Sequence, residues 1–228
     1  MEYSIKLNAV DNPKEKVKAF ASVTLGDSFK ITNVAVVEGK EKEPFVSMPS
    51  FKSKARNGQN QPVYKDMCNP ITKEFREELY GAILGLYGQM EKSGKMEIIK
   101  EAATSEEPGF KVNVTPLERE GSNILGLARI YFENSFVVGN VSILNGGGKA
   151  FVAMPSYKTN QTDEKGKPRY QDVCFPVTKE FREKLYGEIL KTYKQEKERE
   201  ESQSKGQTEI SERLEREPEG KGTKQYAR

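Results

Sequence analysis

The sequence predicts an α+β fold formed by two tandem small domains, each an antiparallel β-sheet followed by a C-terminal helix. Three observations support this prediction: a long internal repeat, period-two alternation of apolar residues early in each copy, and helical spacing of apolar residues at its end. Residues 45–50 (FVSMPS) recur as residues 151–156 (FVAMPS), and residues 68–77 recur as residues 174–183. A repeat of this length indicates a duplicated domain, so every candidate site is expected twice.

The two copies differ by one residue in length. Both repeated blocks are offset by 106 residues (from 45 to 151 and from 68 to 174), whereas Phe29 and Phe136 are offset by 107. The second copy therefore lacks one residue, relative to the first, between Val34 and Phe45.

The repeat divides the 228 residues into four segments. The domains are predicted at residues 1–90 and 108–194, and each is large enough to bury a core without disulfides or metals. Residues 91–107 are predicted as a linker, with a helix at residues 96–103. Residues 195–228 are predicted as a disordered tail, because Glu, Lys, Arg, Gln, Gly and Ser bury too little apolar surface to offset the entropy of ordering. The alternative for its first residues is an extension of the preceding helix that then frays.

Composition excludes several classes of protein. The net charge of +3 and the pI of about 8.6 permit nucleic-acid binding through a local patch without requiring it. No apolar run spans a bilayer and no signal segment is present, so a cytoplasmic protein without membrane contact is expected. There is no histidine, which removes the commonest general base and metal ligand. Cys68 and Cys174 are expected to be buried thiols, with a bridge between the copies as the less favoured alternative.

Alternation predicts the strands of each copy. Residues 3–7, 17–25 and 29–37 alternate in the first copy, with a turn at Gly26-Asp27. Residues 110–114, 125–132 and 136–144 do so in the second copy, with a turn at Glu133-Asn134. A short last strand is predicted at residues 64–68 and 170–174, and it is stopped by Pro70 and Pro176.

The glycine run at residues 145–149 allows two interpretations. A phosphate-binding loop requires a helix after the glycines, but the strand-like residues 151–154 follow them. The first copy has one glycine in this turn. A hairpin turn is therefore the favoured interpretation.

A helix is predicted after each proline. Thr72 and Thr178 are candidate N-caps, with a glutamate in the first turn of each helix. Apolar residues then recur on one helical face, which is expected to pack on the sheet. They are Phe75, Leu79, Ile83, Leu86, Tyr87 and Met90 in the first copy, and Phe181, Leu185, Ile189 and Tyr193 in the second.

Cations and aromatic residues are concentrated in a polar loop of each copy, predicted at residues 51–63 and 157–168. Cations neutralise phosphates, and exposed aromatic rings stack on bases. The alternative is a solvated loop whose aromatic residues face the core. The candidate nucleic-acid-binding residues in or beside the loops are Lys52, Lys54, Arg56 and Lys65, and Lys158, Lys165, Lys167 and Arg169.

Further cations lie at the helix starts, where a phosphate can bind. These candidates are Lys73, Arg76, Lys179 and Arg182. The alternative for each is a surface pair with Glu77 or Glu183. Asp66 and Asp172 are interpreted as turn caps. No nucleophile–base pair is recognised, so neither an enzyme nor a cofactor or metal site is expected.

The motif Phe-Val-Ala-Met-Pro-Ser, followed by a basic loop, an aromatic–basic–Asp step, a proline and a helix, resembles the SpoVG family. Residues 151–156 with Lys158, the step Tyr64-Lys65-Asp66, and Arg76 and Arg182 carry the resemblance. It covers residues 1–90 and 108–194. The resemblance implies a small α+β protein that forms homodimers with a shared sheet and binds DNA or RNA as a regulator of gene expression.

Two copies on one chain then imply an intramolecular pseudo-dimer whose halves join edge to edge. The sequence departs from the family at a histidine that is replaced by Asn69 and Phe175, and at basic positions that are Phe51, Tyr157 and Gln171 here. We therefore expect a non-enzymatic nucleic-acid-binding regulator with weakened or altered affinity. The alternative is a protein-interaction module that uses a free sheet edge or the tail.

Overall fold

The computed structural model describes residues 1–11, 16–117 and 121–216, with the side chains of the last helix described as far as Gln203. The first half (residues 1–107) begins with four antiparallel strands, and the second half (residues 108–216) repeats them. The strands of the first half are β1 (Tyr3–Ala9), β2 (Val17–Leu25), β3 (Phe29–Glu38) and β4 (Pro44–Ser47). Their equivalents are β9 (Phe110–Pro116), β10 (Ile124–Phe132), β11 (Phe136–Gly146) and β12 (Lys149–Ala153).

A separate hairpin, a three-residue strand and a helix follow in each half. In the first half they are β5 (Ser50–Arg56) with β6 (Pro62–Asp66), β7 (Cys68–Pro70) and α1 (Lys73–Ser93), and β8 (Glu97–Lys100) comes last. In the second half they are β13 (Ser156–Thr162) with β14 (Pro168–Asp172), β15 (Cys174–Pro176) and α2 (Lys179–Arg216). The predicted α+β class and its duplication are confirmed.

The helices cover one face of each sheet. Thr72 caps α1 by accepting a hydrogen bond from the Phe75 amide at 3.3 Å, and Thr178 accepts one from the Phe181 amide at 3.2 Å. The predicted apolar stripe faces inward, since Leu79, Ile83, Leu185 and Ile189 are fully buried. Neither helix, over the residues that the structure describes, is apolar enough to cross a membrane.

The halves are joined by reciprocal exchange of a short strand. β7 of the first half pairs with β11, with Cys68 opposite Val138. β15 of the second half pairs with β3, with Cys174 opposite Ile31. The predicted pseudo-dimer is therefore confirmed, but the expected direct joining of the two sheets is replaced by strand exchange. Each three-residue strand satisfies backbone groups of the other half that would otherwise form an open edge.

A β-bulge in each sheet receives the exchanged segment. The register of β2 and β3 shifts between Ala21 and Val23, where Asn33 has a φ of 60°. The preceding residue, Thr32, donates its amide to the Val173 carbonyl at 2.7 Å. In the second half Asn140 has a φ of 55°, and Gly139 donates to the Met67 carbonyl at 2.8 Å. Asparagine tolerates this left-handed conformation better than most residues, and the bulge presents its neighbour to the other half.

Aromatic rings fill the interface between the halves. Phe29 of β3 lies 4.7 Å from Phe132 of β10, centroid to centroid. Phe75 of α1 meets Phe136 of β11 edge to face at 6.4 Å. All four rings belong to one continuous buried core, so the two halves fold as one unit.

Three sequence predictions need correction. The linker is not helical at residues 96–103, because residues 97–100 form β8 beside β1. The two polar loops are β-hairpins. Each predicted last strand is divided in two, with Met67 and Val173 between the hairpin and the exchanged strand.

The tail begins as the helical extension that was the alternative to disorder, and the helix continues as far as Arg216. Residues 217–228 lie outside the described residues. Extension of a helix that is already nucleated by packing fixes one residue per added hydrogen bond. Ion pairs such as Lys197 with Glu201 and Arg199 with Glu196 support it, which composition alone does not reveal.

The glycine run forms the predicted hairpin turn. Gly146 pairs with Lys149, so the turn has two residues, Gly147 and Gly148. Their φ values of 61° and 84° are typical of the turns that join twisted strands.

Candidate nucleic-acid interface

Two hairpins stand apart from the main sheets as independent two-stranded units. We call β5–β6 arm 1 (residues 50–66) and β13–β14 arm 2 (residues 156–172). The same turn closes both. The side-chain oxygen of Asn57 accepts the Gln59 and Gln61 amides at 3.0 and 2.8 Å. The equivalent oxygen of Asp163 accepts the Lys165 and Lys167 amides at 2.9 and 2.8 Å. Such side-chain turns explain why polar sequences fold here into hairpins.

Arm 1 carries a row of three exposed cations along β5, Lys52, Lys54 and Arg56. The hairpin register shifts between Lys52 and Arg56, so Lys54 lies in a bulge between the other two. Lys52 is opposite Tyr64 and Arg56 is opposite Pro62, which places these two cations on one face. Tyr64 is paired directly with Lys52 across the hairpin and is 63% exposed. The Arg56 guanidinium donates to the Asn60 carbonyl at 2.9 Å, which fixes the outer end of the row.

The remaining candidate of arm 1, Lys65, lies on the opposite face. It is paired with Phe51 across the hairpin, and successive residues of a strand face opposite sides. Asp66 is the one carboxylate among the residues of arm 1.

Arm 2 is less concentrated in charge. Lys158 is paired with Tyr170, which is 66% exposed, so the cation–aromatic pair of arm 1 recurs. Lys165 and Lys167 lie in the turn, and Arg169 is on the other face. Arm 2 also holds three carboxylates, Asp163, Glu164 and Asp172.

The lysines at the helix starts are exposed but loosely paired. Lys73 lies 3.8 Å from Glu77, and Lys179 lies 3.8 Å from Glu183. Exposed pairs of this kind contribute little to stability. Both ammonium groups therefore remain available to an anion.

The arginines at the helix starts hold the exchanged strands. Arg76 donates to the Pro70 carbonyl at 3.1 Å, and Arg182 donates to the Pro176 carbonyl at 3.4 Å. Burial raises the pKa of Asp66 at the base of arm 1, and the Arg76 charge opposes that rise. Asp172 is affected in the same way by burial and by Arg182. These two arginines thus connect helix, exchanged strand and arm.

A groove lies at the base of each arm, on the sheet face away from the helices. Phe51 of arm 1 lines a groove of about 490 Å³ with Leu127 and Met154 of the second half. Tyr157 of arm 2 lines a groove of about 460 Å³ with Phe20 and Met48 of the first half. Met67 lines both grooves, so both arms begin near the centre of the molecule.

All twelve predicted cations are exposed, but the structure groups them unequally. Sequence reasoning missed Phe20 and Leu127, which are 43% and 40% exposed. The sequence does contain a signal for their exposure, because each is a large apolar residue at a position of an alternating strand that faces away from the core. The part of the chain that the structure describes contains no cluster of three or more Cys, Asp or Glu placed to hold a metal ion.

The fold and its arms define a class: a duplicated α+β protein with an internal pseudo-two-fold arrangement and two projecting basic hairpins. The SpoVG family model matches residues 1–89 and 109–195, which leaves out the last residues of α1, the segment that contains β8, and the end of α2. The chain therefore belongs to the SpoVG family and contains two tandem copies of its domain.

Three similar proteins each carry the name "Putative septation protein SpoVG". The protein of Treponema denticola is 38% identical over 76 residues, which are 33% of this chain and 74% of that protein. The protein of Finegoldia magna is 33% identical over 116 residues, 51% of this chain and 92% of that protein. The protein of Symbiobacterium thermophilum is 40% identical over 79 residues, 35% of this chain and 51% of that protein.

Proposed function

We propose that this protein is a non-enzymatic nucleic-acid-binding regulator whose arms contact the phosphate backbone, and that arm 1 contributes more to the affinity than arm 2. The observation that carries the proposal is the exposed cation–tyrosine pair at the same place in both arms, Lys52 with Tyr64 and Lys158 with Tyr170. A lysine neutralises a phosphate, and a neighbouring tyrosine offers a face on which a base stacks.

The row on arm 1 extends this contact along a strand. Lys52, Lys54 and Arg56 present three exposed charges within five residues of one strand, with no carboxylate among them. Cations concentrated in this way attract a polyanion more strongly than the cations of arm 2, which are interspersed with carboxylates. The Lys73 and Lys179 ammonium groups are secondary contacts.

The relatives' names refer to septation. We propose that nucleic-acid binding by this chain serves a regulatory role in septation or sporulation. The relatives' names support a role in septation or sporulation, and the exposed cations of the arms support nucleic-acid binding.

Fluorescence anisotropy with labelled single-stranded and duplex oligonucleotides of random sequence tests the activity. We expect affinity to fall with salt, by a log–log slope of about 0.9 per phosphate contacted on duplex DNA and about 0.7 on single strands. The triple variant Lys52→Glu/Lys54→Glu/Arg56→Glu should lose most of the affinity. A matched control, Lys40→Glu/Lys42→Glu/Lys95→Glu, makes the same change in net charge at exposed positions outside the arms.

Retained affinity in the control and its loss in the arm variant would support the proposal. Equal loss in both would indicate attraction by net charge alone. No binding of any oligonucleotide at low salt, with circular dichroism intact, would overturn it.

A further inference from the structure

The outer edge of the second sheet differs from its equivalent in the first. In the first half β8 pairs with β1 from Ile5 to Asn8. In the second half β9 pairs with β10, and the residues that the structure describes place no strand on its other side. The pseudo-symmetry therefore identifies a position for a strand that the second half does not fill.

One position in the sequence favours the difference. Gly94 ends α1 in the left-handed conformation, with a φ of 67°, and its amide donates a hydrogen bond to the Met90 carbonyl. The chain then returns as β8. The residue 106 positions further on is Glu200, and α2 continues through it. Glycine at a helix C-terminus permits this reversal, whereas glutamate favours the helix.

The hydrogen-bonding groups at the open edge can be assigned by comparison. In β1, the Ala9 amide donates to the Met96 carbonyl on the side of β8, which we call outward. The Val10 amide donates to the Lys18 carbonyl on the side of β2, which we call inward. Inward donation recurs at Leu117, the equivalent of Val10, which donates to Leu125. Because the direction alternates along a strand, the outward groups of β9 belong to Phe110, Val112 and Val114.

Apolar surface accompanies these groups. Ile5 of β1 is fully buried, whereas its equivalent Val112 is half-buried. A cleft of about 610 Å³ follows the edge between β9 and α2, with Phe110, Val112, Lys184 and Glu188 among its walls. This cleft lies beside the edge that β8 covers in the first half.

We propose that a second copy of this chain occupies the edge, with the two β9 strands antiparallel and a two-fold axis at Val112. Val112 then pairs with its own copy, and Phe110 pairs with Val114, so all outward groups of the strand are satisfied. Pro108 and Pro116 lie four residues on either side of Val112. In the dimer, Pro108 of one copy is opposite Pro116 of the other, beyond the last hydrogen-bonded pair, where no amide is required.

The side chains are also self-complementary. Lys111, the one charged residue of β9, falls opposite Asn113 of the other copy, so no like charges face each other. The helix wall of the cleft carries Glu188 and Lys184, which is already paired with Glu107 of the same chain at 2.7 Å, so it adds no unpaired cation to the interface. Because both copies use the same edge, pairing through β9 closes at two copies and does not propagate into a fibre.

Sedimentation equilibrium on the full chain tests the proposal between about 1 and 200 µM protein. We expect a concentration-dependent rise toward twice the chain mass of 25.7 kDa. The variant Val112→Pro removes an outward amide without removing a bond to β10, and it should remain at the mass of one chain with unchanged circular dichroism.

Hydrogen exchange provides a readout that does not depend on the variant. The Val112 and Val114 amides should become protected as the wild-type concentration rises, whereas the equivalent Ile5 and Leu7 amides, covered by β8 within the chain, should be protected at every concentration. A wild-type monomer at 200 µM, growth beyond two copies, or a Val112→Pro dimer with unchanged exchange would each overturn the proposal. Protection of Val112 and Val114 that is independent of concentration would also overturn it.

Discussion

Cys68 and Cys174 meet at the centre of the molecule, one from each exchanged strand. Both side chains are fully buried free thiols. A hydrogen bond with Cys68, together with burial, raises the pKa of the Cys174 thiol. The accessibility of these two thiols therefore indicates whether the two halves are docked.

We predict that both thiols are inert in the folded protein, because the thiolate is the reactive form and burial excludes the reagent. Dithionitrobenzoate at pH 8 should label neither cysteine in native buffer and both cysteines in guanidinium chloride. Rapid native labelling of one or both thiols would contradict the exchanged arrangement.

We predict that stability falls at alkaline pH. Burial raises the pKa of Tyr3, and Cys174 shifts in the same direction. A group whose pKa is raised by folding contributes stability below its unfolded pKa, and that contribution is lost as the pH rises toward the folded value. Urea unfolding should therefore show a nearly constant free energy between about pH 7 and pH 8 and a decline above about pH 9, where the unfolded thiol and then the phenol ionise.

The substitution Tyr3→Phe should stabilise the protein. The Tyr3 hydroxyl is buried and makes no hydrogen bond of good geometry among the described residues, although Glu78 lies close enough to add to the effect of burial in raising its pKa. A buried hydroxyl without a well-formed hydrogen bond costs about 1–3 kcal/mol. Its ring still packs edge to face on Phe75 at 5.8 Å, a contact that phenylalanine preserves. The equivalent residue of the second half is Phe110, so the same position already accepts this side chain.

Chemical denaturation compares the wild type with Tyr3→Phe and with the matched control Tyr64→Phe. The control removes an exposed hydroxyl and should leave the midpoint unchanged. Tyr3→Phe should also reduce the loss of stability at high pH. A lower midpoint for Tyr3→Phe would show that its hydroxyl has a partner.

Much of the fold could be predicted from the sequence because the repeat doubles every signal. The alternating strands, the capped helices and the inward helix faces follow from local patterns that recur at one offset. The strand exchange could not be predicted, because a segment of three residues, Cys68-Asn69-Pro70, has no pattern that indicates which strand it pairs with. β8 was missed because four residues in a polar linker do not separate a strand from a helix.

The candidate site was predicted in composition but not in arrangement. The row Lys52, Lys54 and Arg56 alternates with small residues and has no apolar face, so the sequence predicts a loop here. Only the hairpin register sets Tyr64 beside Lys52 and moves Lys65 to the other face. Exposure of a lysine is easy to predict, whereas which lysines share a face depends on pairing between distant residues.

The substitution Gly94→Ala should release β8. The left-handed φ of Gly94 is unfavourable for alanine by about 1 kcal/mol, and the helix would tend to continue as it does at Glu200. Hydrogen exchange at Ile5 and Leu7 should accelerate as β8 detaches. Gly85→Ala is the matched control, since Gly85 is an exposed helical residue with open space around it, and it should stabilise α1 by up to about 1 kcal/mol.

The substitution Gly26→Ala should destabilise the protein more than Gly147→Ala. Both residues have a positive φ, 47° and 61°, but an added Cβ at Gly26 would collide with the Glu106 carbonyl, whereas it meets open space at Gly147. Gly147→Ala should therefore lose about 1 kcal/mol from backbone strain alone. Thermal unfolding of both variants measures the difference, and equal losses would show that residues 106–108 do not pack on this turn.

Separate variants of arm 1 distinguish the stacking role of Tyr64 from the charge of Lys52. Tyr64→Ala should weaken single-stranded binding by about 1–3 kcal/mol without changing the salt slope, because the ring contributes no charge. Lys52→Ala should lower the slope by about 0.7 on single strands. Phe151→Ala, which removes an exposed aromatic ring outside the arms, is the control and should leave both quantities unchanged. If Tyr64→Ala lowers the slope and leaves affinity at high salt intact, the tyrosine positions the lysine and does not stack on a base.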